Sequence, residues 1–173
     1  MFRNAGYDPV VMPASIIETV PYDMDPANTT MFLAFKKAMA VYGQNPDETI
    51  ISADTVVICD EKIIGKPRDK DHAYAILSAL RSRSHHVITG CCIIKPDENA
   101  VGTALKHCFY EDTEVFFKDY SDEELLAYVS TDEPYDKAGG YAIQGSFGKY
   151  IDHIDGELDN VIGLPFSKVL EFI

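Results

Sequence analysis

Apolar positions along the chain alternate between helical spacing and short, unbroken β-branched runs. Met31, Ala34, Phe35, Ala38 and Tyr42 fall on one helical face. Asp25 before Pro26 reads as a cap followed by proline at the first helical position, and Gly43 stops the run. Thr49 to Ala53 and Thr55 to Cys59 form a buried-strand pattern interrupted by Asp54, and Asp60-Glu61-Lys62 turns the chain. Asp69 is placed to cap a second helix with Ala73, Ile76, Leu77 and Leu80 on one face. His85 to Lys95 reads as another buried strand, ended by the turn signal Pro96-Asp97-Glu98-Asn99.

Two further strands, His107–Tyr110 and Thr113–Phe117, show period-two character. Ser121-Asp122-Glu123-Glu124 matches a capping box, with Leu125, Tyr128 and Val129 on the buried side. Lys149 to Ile154 is a late strand, Asp155-Gly156 a turn, and Phe166 to Ile173 a short closing helix. The order, with both hairpin-like and crossover connections, predicts an α/β fold with a mixed β-sheet flanked by helices. No repeat, low-complexity tract or linker divides the 173 residues, so one domain over 1–173 is expected.

Composition adds constraints. Apolar residues make up 46 % and charged residues 25 %, enough for an ordinary core without staples. No apolar run approaches the roughly 20 residues that span a bilayer, and Met1-Phe2-Arg3-Asn4-Ala5-Gly6 has no signal-peptide pattern. Cys59, Cys91, Cys92 and Cys108 form no CxxC pair. They read as buried free thiols in a reducing compartment, hence a cytoplasmic protein. A net charge of −13 repels nucleic acid and anionic membrane, so neither is an expected partner. That field also repels a free nucleotide, so a phosphate substrate requires a divalent cation or well-placed lysines.

Three segments carry candidate chemistry. In Ser52-Ala53-Asp54-Thr55-Val56-Val57 a carboxylate interrupts an apolar strand. It is either a metal ligand or general base, or a cap where the strand ends at Ala53. Gly65-Lys66-Pro67 is either a stiffened loop that offers a lysine to phosphate or an ordinary turn. Glu133-Pro134-Tyr135-Asp136-Lys137-Ala138-Gly139-Gly140-Tyr141-Ala142-Ile143-Gln144-Gly145 mixes acid, base, glycine and amide as ligand-binding loops do, and is otherwise a structural turn.

In order and spacing these segments, with Asn160-Val161-Ile162-Gly163-Leu164-Pro165, resemble the Maf (septum-formation) family over nearly the whole chain. Glu18, Lys37-Ala38 and Val87-Ile88-Thr89-Gly90 add to the likeness. The resemblance implies a deep cleft in a fold related to the inosine-triphosphate pyrophosphatases. It implies cleavage of a nucleoside triphosphate between the α- and β-phosphates, with Mg²⁺ or Mn²⁺, giving a monophosphate and pyrophosphate. Asp54 matches the family's catalytic base, and Glu18, Lys37, Lys66, Asp136 and Lys137 match cleft positions. Asp54 and Glu18 are the metal-ligand candidates. Thr55 and Gln144 match the branch acting on dTTP and UTP, and an amide suits the imide edge of a pyrimidine. A homodimer is the assembly the family suggests.

The family also opens with a strand and a Ser-x-Ser-Pro-Arg-Arg loop, whereas this sequence begins at a stretch resembling the end of the helix that follows. Relative to the family the domain is therefore expected to be N-terminally incomplete. A nucleotide-binding or regulatory protein impaired in catalysis is the alternative reading.

Overall fold

The computed structural model describes residues 1–100 and 102–173. Its centre is a five-stranded sheet of β1 (Ile50–Cys59), β2 (Lys62–Ile64), β3 (Ser84–Pro96), β4 (Ala104–Phe117) and β5 (Ile151–Asp155), in the order β2-β1-β3-β4-β5. The helices are α1 (Pro26–Tyr42), α2 (Lys70–Leu80), α3 (Asp122–Tyr128), α4 (Leu158–Ile162) and α5 (Phe166–Val169). An α/β fold with a helix-flanked sheet stands as expected. Every neighbouring pair of strands is antiparallel, however, so the sheet is not mixed in its ladders. The reason lies in the crossover: α2 links β2 to β3, which run in the same direction, but β1 lies between them.

Local chemistry accounts for the helix starts. Asp25 accepts the Asn28 amide at 2.9 Å ahead of α1, and Asp69 accepts the His72 amide at 2.8 Å ahead of α2. At α3 both halves of the Ser121–Glu124 capping box form. Burial on α2 falls on Ala73, Ile76, Leu77 and Leu80, the face read from the sequence. On α1 it falls on Thr30, Leu33, Ala34 and Ala38, a face rotated from the expected one, leaving Met31, Phe35 and Tyr42 half-buried.

Two strands run further than their patterns suggest. β1 continues through Asp54 without a break. β4 joins the two expected strands across Glu111 and Asp112, because both acids find partners: Glu111 pairs with Lys168, and Asp112 with His86 on β3. The late strand and closing helix are shorter than expected. Lys149 and Tyr150 belong to a 3₁₀ turn, and α5 ends at Val169.

The sheet has two covered faces. On one, Ala34 and Ala38 of α1 pack with Ile50, Cys92 and Ile94. On the other, Val57, Val87, Val115 and Phe117 meet α2, α3 and the aromatic hub Phe147. Phe147 is fully buried, with the rings of Tyr128, Tyr150, Tyr120 and Phe117 at 4.5, 4.8, 5.1 and 5.6 Å. Because β2 pairs with β1 only from Val57 to Cys59, the outer edge of β1 from Ile50 to Val56 has no ladder partner among the described residues.

Candidate active site

Asp54 sits beside a close approach of α1 to the sheet. Its register partner on β3 is Gly90. A Cβ at Gly90 would lie 2.3 Å from the Met31 nitrogen and the Thr30 carbonyl carbon, so only glycine admits the α1 backbone here. Ser52, two residues back on the same face, donates to the Ala34 carbonyl at 2.6 Å. These contacts fix the height and rotation of α1 and carry Lys37 to Asp54.

The Lys37 ammonium bridges two carboxylates, with Nζ 2.6 Å from Asp54 Oδ1 and 2.8 Å from Glu18 Oε1. The acids differ in solvation: the Asp54 side chain is 11 % exposed and that of Glu18 is 55 %. Burial pushes the Asp54 carboxyl above its ordinary value, against the hydrogen bond and charge of Lys37, and the Glu18 charge adds to the rise. The Lys37 hydrogen bond holds Glu18 below its ordinary value. Burial alone would lower Lys37, but its hydrogen bonds to Asp54 and Glu18 prevail and hold it up. One ammonium shared by two acids therefore leaves the drier acid with the greater proton affinity.

These residues line a cleft of about 700 Å³. Lys66, after β2, and Asp136 and Lys137 also line it. The Gly139 amide donates to the Gly65 carbonyl at 3.2 Å, which ties the two loops together. Gly139 has φ +71°, and a Cβ there would come within 2.9 Å of Val57. The loop thus seats directly on β1. Lys137 pairs with Asp136 at 2.5 Å in an exposed position, and that hydrogen bond lowers the Asp136 carboxyl.

The remaining candidates divide. Thr55 lines the cleft, but its side chain belongs to the sheet face opposite Asp54 and meets the Thr89 hydroxyl at 2.9 Å. Thr89 in turn donates to the Asn160 carbonyl at 3.1 Å. Gln144 is exposed and lies outside the residues lining the cleft. Its loop is latched by Glu133, whose carboxylate accepts the Ser146 amide at 3.0 Å and the Ser146 hydroxyl at 2.8 Å. The structure therefore gathers Glu18, Lys37, Asp54, Thr55, Lys66, Asp136 and Lys137 and leaves Gln144 apart.

Sequence reasoning included Tyr141 and Thr89 in its segments but gave neither a role at the site. Tyr141 lines the cleft while its hydroxyl shares a 2.7 Å hydrogen bond with the buried His85 ring. Thr89, a lone hydroxyl in the apolar run of β3, was the available signal for the Thr55 contact. Asn160 is a fastener, because its Nδ2 donates to the Val87 carbonyl and to Thr113 Oγ1, each at 2.9 Å. Among the described residues no group of three or more His, Cys, Asp or Glu side chains is arranged to hold a metal ion. Asp54 and Glu18 do offer two hard oxygen donors at the cleft. That set fits Mg²⁺ or Mn²⁺, which bind through one or two carboxylates together with substrate phosphates. No helix among the described residues is long and apolar enough to cross a membrane.

Comparison with known proteins covers the whole chain. The family model described as Maf-like protein matches residues 1–173. The dTTP/UTP pyrophosphatase of Desulfitobacterium hafniense (strain Y51) is 38 % identical, over 99 % of this chain and 77 % of its own length. That of Thermoanaerobacter pseudethanolicus is 37 % identical, over 100 % of this chain and 88 % of its own. The dTTP/UTP pyrophosphatase of Pyrococcus furiosus is 38 % identical, over 96 % and 84 % respectively. With the match running from the first residue to the last and the Asp54 cleft in place, the chain belongs to the Maf family.

Proposed function

We propose that this protein hydrolyses dTTP and UTP to the nucleoside monophosphate and pyrophosphate, with Asp54 as the general base. One observation carries the reading: a largely enclosed carboxylate of raised proton affinity sits on Lys37 in a cleft that Lys66 and Lys137 also line. Relatives named for this activity cover nearly the whole chain.

A water molecule attacking a phosphorus ringed by anionic oxygens meets a charge barrier, so neutralisation contributes more than covalent catalysis. Lys66 and Lys137 hold the phosphate oxygens. Asp54 orients the water and takes its proton, and the burial that raises its proton affinity suits it to that task. Lys37 holds Asp54 in place and offsets the negative charge left by the departing pyrophosphate. Asp54 and Glu18 would hold a divalent cation, which would supply further neutralisation of the phosphate charge. Thr55 at the cleft is the position assigned to pyrimidine preference, while Gln144, outside the cleft, carries no contact to the base here.

The test is a screen for pyrophosphate release over dTTP, UTP, GTP and ATP with Mg²⁺ or Mn²⁺. Pyrophosphate from dTTP and UTP in preference to the purines, abolished by EDTA, is the expected result. Stepwise release of orthophosphate overturns the reading.

A further inference from the structure

The pairing of β3 with β4 sets Cys92 directly opposite Cys108. Cross-strand partners project to the same face of a sheet. Their Cα atoms lie about 4.5–5.5 Å apart, inside the roughly 4.4–6.8 Å that a disulfide spans. The two side chains therefore stand side by side on one face of the sheet. Cys92 is fully buried beneath Ala34 and Ala38 of α1, whereas Cys108 is exposed. Cys91 projects to the other face, into the cluster of Ile93 and Val169, so the pair vicinal in sequence is not the pair adjacent in space.

We propose that Cys92 and Cys108 form a redox-active dithiol that closes to a cross-strand disulfide in the presence of a low-molecular-weight disulfide of the glutathione class. The Cys108 thiolate, the group within reach of solvent, attacks the oxidant and expels one thiolate, leaving a mixed disulfide on Cys108. Cys92 then attacks Cys108 Sγ and passes its proton to the second thiolate as that leaves as a thiol. The protein dithiol is oxidised by two electrons, and one oxidant disulfide is reduced to two thiols. Burial, with the neighbouring Cys108 adding, holds the Cys92 thiol far above its ordinary value. It therefore stays protonated and unreactive until a sulfur beside it becomes electrophilic. Both cysteines lie outside the residues that line the cleft, so this chemistry is separate from nucleotide turnover.

The experiment uses the full chain, reduced, then exposed to oxidised glutathione, alkylated and analysed by peptide mass spectrometry. The expected product is a monomer with a Cys92–Cys108 linkage and free Cys59 and Cys91. Phenylarsine oxide, a probe of paired thiols, binds the reduced chain one to one, and Cys108→Ser, a surface change, abolishes both the linkage and the arsenical uptake. A glutathione adduct persisting on Cys108, a Cys108-linked dimer, a Cys91–Cys92 disulfide, or four unreacted thiols would each overturn the proposal.

Discussion

Asp54 and Gly90 face each other across β1 and β3, and the missing side chain on one positions the cation that serves the other. Gly90→Ala places a methyl group against the backbone of Thr30 and Met31, which cannot give way as a flexible side chain would. α1 must lift, and Lys37 moves away from Asp54. Overpacking of this kind costs about 1–3 kcal/mol. Urea unfolding should show that loss, and pyrophosphate release should fall even where the variant remains folded.

Asp54→Asn keeps the shape and removes the proton acceptor. Turnover of dTTP is expected to fall by roughly 10²-fold or more, the usual contribution of a general base. Far-ultraviolet circular dichroism and the unfolding midpoint separate this loss from misfolding, and near-normal turnover would remove Asp54 from its role.

Lys37→Met leaves two carboxylates facing each other without their shared ammonium. As the proposed general base Asp54 must be ionised, so the rate should fall as pH drops through its pKa, which burial has already raised. Removing Lys37 raises it further. The acid limb of kcat/KM should therefore move to higher pH, with a loss of roughly 10²-fold at neutral pH. An acid limb that stays in place would show that Lys37 does not govern the ionisation of Asp54.

His85 gives the fold its own acid sensitivity. Burial, with the His86 charge adding, pulls its imidazolium down to about 4. An unfolded histidine titrates near 6.5. Between those values the unfolded chain binds the extra proton, so the stability held by neutral His85 is complete above about pH 6.5 and is lost as pH falls towards 4. The full loss is about 3 kcal/mol. Urea unfolding from pH 7.5 to 4 should show His85→Phe losing less stability than the parent over this window. Parallel curves would mean that the ring is protonated in the fold.

Much of this was legible in the sequence where a local rule and the tertiary fold agree. The caps at Asp25, Asp69 and Ser121, and the buried face of α2, follow from side chain and spacing alone. Asp54 stood out because an acid in an apolar strand requires a partner, and Lys37 is that partner. Continuity of β4 through Glu111 and Asp112 was hidden, because the pairs that make acids tolerable there come from α5 and β3. The rotation of α1 was hidden for a similar reason, since Gly90 sets it from another element. Gln144 matched by motif, but motif spacing does not reveal which way the Glu133 latch turns its loop.

The unpaired edge of β1 gives the site a second character. A strand edge with free amides and carbonyls is a template for another extended chain. Among the described residues the stretch from Ile50 to Val56 is such an edge, and Asp54 lies within it. A strand that adds there becomes a wall of the cleft and brings its own side chains to the rim. Among the described residues the rim of the cleft at Asp54, Thr55 and Val56 is thus also the open side of the sheet, and whatever chain pairs there shapes the cleft.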